Sequence, residues 1–150
     1  MHTRPVLDAA DVRVMMLAAR TEAERIDLEV SIAVVDEAGV LLALERLDGA
    51  RLHTPEAAWL KARTASITRS ATATLQEQAD AHPAMLAFPG RLPLAGGMPL
   101  VHEGVVVGGV GSSGGSPEQD LAVCRAVLEG FAALQERRGD QPDRARERVL

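Results

Sequence analysis

The chain has 150 residues, 47% of them apolar and 25% charged, with a formal net charge of −5 and a pI near 5.4. That acidic balance excludes a general affinity for nucleic-acid backbones or anionic lipid, which needs a concentrated basic surface, and the single cysteine, Cys124, excludes an intrachain disulfide and any multi-cysteine metal site. No stretch approaches the ~18 apolar residues of a membrane span and Met1–Pro5 carries no basic region followed by an apolar run, so cytoplasm, with no membrane and no nucleic-acid partner, is the expectation.

The length fits one domain with one core, expected over residues 1–138 and followed by a polar tail at 139–150. Around that tail Arg137, Arg138, Arg144, Arg146 and Arg148 alternate with Glu136, Asp140, Asp143 and Glu147, the pattern of a solvated segment. Trp59, Phe88 and Phe131 are the only aromatic residues, so the core must be built from small aliphatic side chains making many close contacts.

Val12, Met15, Met16, Ala19, Ala23 and Ile26 recur at three- and four-residue spacing, predicting a first helix from Asp8, its N-cap, to about Glu29. The two methionines read as core filling rather than haem ligands. A β-branched run from Val30 to Val35 and a second run at Val40–Leu47 flank Asp36-Glu37-Ala38-Gly39, predicting a β-hairpin. Thr54-Pro55-Glu56 supplies an N-cap, a proline for the first helical position and an acid for the first turn of a second helix through Ala57, Trp59, Leu60, Ala62 and Ala65.

A short helix interrupted by Pro83 is expected over Leu75–Ala87, and Pro89-Gly90 opens an irregular connection longer than packing alone requires. Met98–His102 and Val105–Val110 flank a turn closed by Gly104, a second hairpin whose latter strand, apolar on both faces, belongs in the middle of the sheet. Leu121, Cys124, Leu128 and Phe131 mark the buried stripe of a last helix from Pro117 to about Arg137. The element order lacks strand–helix–strand repetition, so the fold class is α/β of the α+β kind: a mostly antiparallel sheet with helices packed on it.

Three segments carry chemistry. Gly108–Asp120 runs from strand through a Gly/Ser loop into a helix N-terminus, where Ser116, Pro117 and Gln119 form a capping box. Its glycines permit close backbone approach, and free N–H groups there favour an anion. A tight turn with nothing bound explains the same residues, and neither the Walker lysine nor dinucleotide spacing is present. Pro93–Pro99 holds Gly96 and Gly97 before a strand and would form the second wall of a concave site if it lay beside the first segment. Glu45–Ala50 contributes Arg46 and Asp48, and Lys61, among Ala58, Ala62 and Ala65, could reach into a pocket to hold an anion.

The ligand-binding set is therefore Arg46, Lys61, Gly96, Gly97, Gly111, Ser112, Ser113, Gly114 and Gly115; the catalytic candidates are Asp48, Lys61 and Asp120, with Asp48 or Asp120 to move a proton and Lys61 or Arg46 to neutralise a carboxylate. Cys124 falls on an apolar helical face, as a buried inert thiol does. The histidines show no paired metal-ligand spacing, the acids no calcium-loop pattern, and the serines no hydrolase elbow.

Several motifs, in order, resemble the GlcG/HbpS family, which includes the C-terminal domain of PduO-type proteins. They are Ser31-Ile32-Ala33-Val34-Val35-Asp36-Glu37-Ala38-Gly39, Glu45–Ala50, Lys61-Ala62-Arg63-Thr64-Ala65, Pro93–Pro99 and Gly108–Asp120, covering about residues 8–135. The resemblance implies a five-stranded antiparallel sheet flanked by helices, homo-oligomeric assembly, haem binding in some members, and an accessory role beside catabolic pathways in others. No axial ligand matches by motif; His53 and His102 qualify by chemistry alone. Three readings stay open: a homo-oligomeric small-ligand or haem binder, an enzyme for a small oxo- or hydroxy-acid between the two Gly-rich loops, and a purely structural oligomer.

Overall fold

A computed structural model describes residues 1–140. Helix α1 (Ala9–Arg25) leads into strands β1 (Ser31–Asp36) and β2 (Leu41–Arg46), then α2 (Thr54–Thr68), α3 (Thr72–Ala81) and a 3₁₀ turn at Pro83–Ala87. Strands β3 (Gly97–His102) and β4 (Val105–Ser113) and helix α4 (Pro117–Gly139) complete it. Pairing is antiparallel throughout, in the order β2-β1-β4-β3. The expected tail lies, from residue 141 on, outside the described residues.

The architecture is the expected antiparallel α+β layer structure, with four strands among the described residues where the resemblance implies five. All four β-rich runs of the sequence are used. The remaining long connection, which contains Pro89 and Pro93, stays irregular, since proline cannot donate to a ladder. β4 lies centrally, as its two apolar faces require.

Both hairpin turns follow from local chemistry. The Asp36 carboxylate accepts from the N–H groups of Ala38 (2.9 Å) and Val40 (2.8 Å), and Gly39 takes φ +78°. At the other hairpin Glu103 and Gly104 both have positive φ, +49° and +77°, the conformation whose twist matches flanking strands in a two-residue turn.

The sheet divides the molecule into two packing layers. Ile32, Val34, Val107, Val110 and Leu100 meet Met15, Ala19 and Ala23 of α1 and Val123, Val127 and Phe131 of α4. The buried stripe of α4 is Asp120, Val123, Cys124, Val127 and Phe131, with Leu128 packed partly exposed beside it, a small rotation from the stripe expected. On the opposite face Ala33 and Val35 meet Ala58 and Ala62 of α2.

Asp8 caps α1 as expected, accepting from Ala10 and Asp11 N–H at 2.8 Å each, while Asp11 Oδ2 accepts from Asp8 N–H at 2.9 Å. The Asp11 amide, and beyond it Arg138, hold the Asp8 carboxyl below its usual value. Asp8→Ala should cost about 1 kcal/mol by loss of the cap. Because the folded-state pKa is depressed, the contribution is present above the unfolded carboxylate pKa and lost as pH falls through the lower folded value. Chemical unfolding at pH 7 and at pH 2 checks this: the gap between wild type and variant should shrink at the lower pH.

The cap of α2 differs from expectation. Thr54 is the first helical residue and His53 the N-cap, with no side-chain capping bond. Thr54 Oγ1 instead donates to Arg51 O (2.7 Å) and shares a 2.8 Å bond with Ser31 Oγ across the buried α2–β1 contact. A buried hydroxyl is satisfied where its tertiary partner stands, and here that outweighs the local cap.

Candidate functional site

The two Gly-rich segments do meet. Gly97 pairs with Gly111, and Ser112 N–H donates to Gly96 O at 2.8 Å. Gly109 and Gly111, however, are in strand β4 and under α2. A Cβ on Gly111 would overlap Ala58 O and lie 2.7 Å from Ala62 N; one on Gly109 would overlap Ala62 O. Four helical residues rise about 6 Å and two strand residues about 6.7 Å, so the carbonyls of Ala58 and Ala62 fall in step with Gly111 and Gly109. On the neighbouring strand, a Cβ on Gly97 would sit 2.5 Å from Lys61 O. Bare backbone here lets a helix lie against the sheet.

Lys61 and Asp120 stand at the centre of this junction, 5% and 3% exposed. Lys61 Nζ donates to Asp120 Oδ2 and to Ser112 O, both at 3.0 Å, and Asp120 Oδ1 accepts from Gly115 N–H at 3.0 Å. Burial raises the Asp120 carboxyl above its ordinary value, against the opposing effects of the Lys61 ammonium and the Gly115 amide. The space between the segments is filled: a Cβ on Gly96, where φ is +116°, would lie 2.8 Å from both Lys61 Nζ and Ser112 O. At the α4 N-terminus a capping box engages two donors, Gln119 N–H on Ser116 Oγ and Ser116 N–H on Gln119 Oε1. Ser112 Oγ is the one buried hydroxyl at this junction without a hydrogen-bond partner among the described residues.

Cys124 closes the same cluster, its Sγ donating to Gly96 O at 3.3 Å. Burial, with Asp120 nearby, pushes the thiol up to about 12. The native protein should therefore resist a thiol reagent such as 5,5′-dithiobis(2-nitrobenzoate) at pH 8 and react fully in denaturant. Stoichiometric labelling of the folded protein would contradict the assignment.

The other residues singled out in the sequence lie apart from this cluster. Arg46 and Asp48 line a polar cleft of about 380 Å³ beside Arg20, Glu24, Asp27 and Glu45, at the far end of β2. Ser113 is buried opposite Ser31, and Gly114 packs on the backbone of Glu29 and Val30. His53 is exposed at the start of α2. His102 packs edge-on to Phe131, ring centroids 6.4 Å apart, in a narrow cleft of about 90 Å³ that also contains Asp11 and Arg138.

Sequence reasoning passed over an apolar cleft of about 200 Å³ between α2, α3 and the 3₁₀ turn. Its walls are Thr64, Thr68, Leu75, Met85, Phe88, Arg91 and Pro93. The guanidinium of Arg91 lies 4.4 Å from the centre of the Phe88 ring. Thr64 Oγ1 accepts from Leu92 N–H at 2.8 Å, and Ala95 N–H donates to Gln76 Oε1 at 2.9 Å, which fixes the irregular connection as the outer wall. One signal was available: a chain with three aromatic residues spends one of them, with Met85, Leu86 and Arg91, on a long connection.

Comparison with known proteins accords with this architecture. The model of the family described as "Haem degrading protein HbpS-like" matches residues 7–129. Protein GlcG of Escherichia coli K12 is 36% identical over 117 residues, spanning 75% of this chain and 85% of the relative. A double mutant of HbpS from Streptomyces reticuli superposes with a TM-score of 0.81 at 32% identity, covering 86% of this chain and 89% of that one. The PduOC:heme complex superposes with a TM-score of 0.78 at 27% identity, covering 84% and 95% respectively. The chain belongs to the HbpS-like family, the group that also holds GlcG and the PduO C-terminal domain.

Proposed function

We propose that this protein is a homo-oligomeric small-ligand-binding protein, accessory to a catabolic pathway and cytoplasmic, whose ligand lies in the cleft beneath α3 and the 3₁₀ turn. The observation that carries the reading is the cleft itself: mostly apolar walls and one guanidinium, Arg91, that forms no ion pair among the described residues. Such a surface suits an apolar body bearing a carboxylate. The seat between the two Gly-rich segments would require the Lys61–Asp120 pair to open first.

Assembly is supported by the sheet edges. Edge strand β3 is blunted by Pro99, whereas edge strand β2 leaves Leu41, Leu42 and Leu44 exposed. Among the described residues no helix is long and apolar enough to cross a membrane.

Haem is the ligand of the related PduOC complex. Here a porphyrin does not fit the cleft of one chain: about 200 Å³ is less than the ~300–1,000 Å³ of sites that bury drug-sized ligands. Neither His53 nor His102 lines it. A haem seat would have to be completed by a second copy.

A thermal-shift screen against haemin and a panel of carboxylates, with sedimentation velocity alongside, tests the proposal. At a hundred times Kd a ligand should add about 2.7 kcal/mol and raise Tm by roughly 5–10 °C, in a species larger than a monomer. A monomer stabilised by nothing in the panel would overturn it.

A further inference from the structure

We infer that the cleft selects a small aromatic monocarboxylate rather than a porphyrin or a polar hydroxy-acid, with Arg91 as the carboxylate anchor. This rests on the cleft being the ligand seat, and it names the class of molecule that the seat takes.

Charge fixes the number of carboxylates. Arg91 is the one charged residue in the cleft wall, and it has no acidic partner among the described residues. A guanidinium offers a planar fork that receives one carboxylate through two parallel hydrogen bonds. A second carboxylate would be left against Leu75, Met85 and Pro93 with nothing to neutralise it, and desolvating an unpaired charge is strongly unfavourable.

Stacking fixes the position. The guanidinium carbon lies over the Phe88 ring, 4.4 Å from its centre, which holds the cation at the cleft wall where its N–H groups can meet an anion. Phe88 is 59% exposed and Met85 37% exposed, so both present apolar surface in the same cleft wall as Arg91. Phe88 offers a ring for an aromatic body and Met85 a polarisable sulfur that packs well against one.

Volume fixes the size. About 200 Å³ admits one ring with a short acidic arm and excludes a macrocycle. Thr64 Oγ1, in the cleft wall, accepts from Leu92 N–H and among the described residues donates to no partner, leaving one donor for a polar substituent on the ligand. A small hydroxy-acid such as glycolate leaves the apolar walls facing water and should bind weakly.

The test is calorimetric titration of the full chain with phenylacetate, phenylacetamide, succinate and glycolate, and of haemin by visible spectrum, each repeated on Arg91→Gln and Arg91→Lys. Phenylacetate should bind at least tenfold more tightly than the other three small molecules. Arg91→Gln should weaken phenylacetate by tenfold or more, and Arg91→Lys by less. The unliganded Tm of both variants should stay within a few degrees of wild type, because Arg91 makes no ion pair among the described residues. A saturable Soret shift with haemin that Arg91→Gln leaves intact, with no phenylacetate binding, would overturn the ligand class and leave the protein a ligand binder. Binding of no molecule in the set would overturn the class and the cleft as a seat together.

Discussion

Gly111→Ala should lower stability by about 3 kcal/mol or more, the upper range for overpacking in a closely fitted interior. The added methyl would overlap Ala58 O and press on Ala62 N, both backbone atoms of α2, so no side-chain rotation can relieve it. The helix must lift from the sheet, and the lift separates Ala58 and Ala62 from Ala33 and Val35. Gly139→Ala is the matched control, because among the described residues nothing lies within 4 Å of its would-be Cβ and it is the last residue of α4; there alanine should be neutral or stabilising by up to about 1 kcal/mol. Urea unfolding with an unchanged m-value measures both. A Gly111→Ala protein within 1 kcal/mol of wild type would mean that α2 does not rest on bare strand backbone.

Removing either member of the Lys61–Asp120 pair should cost about 3–5 kcal/mol, the penalty for leaving a buried charge unpaired. Asp120→Ala also strips the acceptor from Gly115 N–H, and Lys61→Met leaves the Ser112 carbonyl without its donor. The double variant Lys61→Met/Asp120→Leu should be much less damaged than the sum of the singles. Apolar replacements of similar volume avoid the desolvation that already raises the Asp120 carboxyl. A thermodynamic cycle over the four proteins reports the coupling directly. Strict additivity would show that the two groups do not depend on one another, and would reopen Lys61 as a residue available to a ligand.

The same two predictions mark where sequence reading stops. Periodicity and local caps placed α1, both hairpins and α4 because those signals are written in neighbouring residues: Asp8 with Asp11, Asp36 with Gly39, Ser116 with Gln119. The glycines of β4 were legible as a place of close approach. What approaches was not legible, since a helix backbone and a ligand make the same demand for a missing Cβ, and only the tertiary structure shows Ala58 and Ala62 there. Lys61 and Asp120, 59 residues apart, each stand out in the sequence as a group able to act on a ligand. Their mutual pairing depends on how α2 and the start of α4 converge across the sheet. The local sequence of Thr54 fits a cap, whereas its actual partner Ser31 lies 23 residues away. The cleft at Phe88 and Arg91 escaped because its walls come from two helices and a connection with no shared periodicity.

Hydrogen–deuterium exchange with and without a saturating concentration of phenylacetate locates the ligand, because the segments it covers exchange more slowly when the site is occupied. Added protection is expected in residues 64–68 and 75–95, around the cleft, with Gly108–Ser116 unchanged. Protection confined to Gly111–Ser116, with the cleft unaffected, would contradict it and return the ligand to the junction of Lys61 and Asp120.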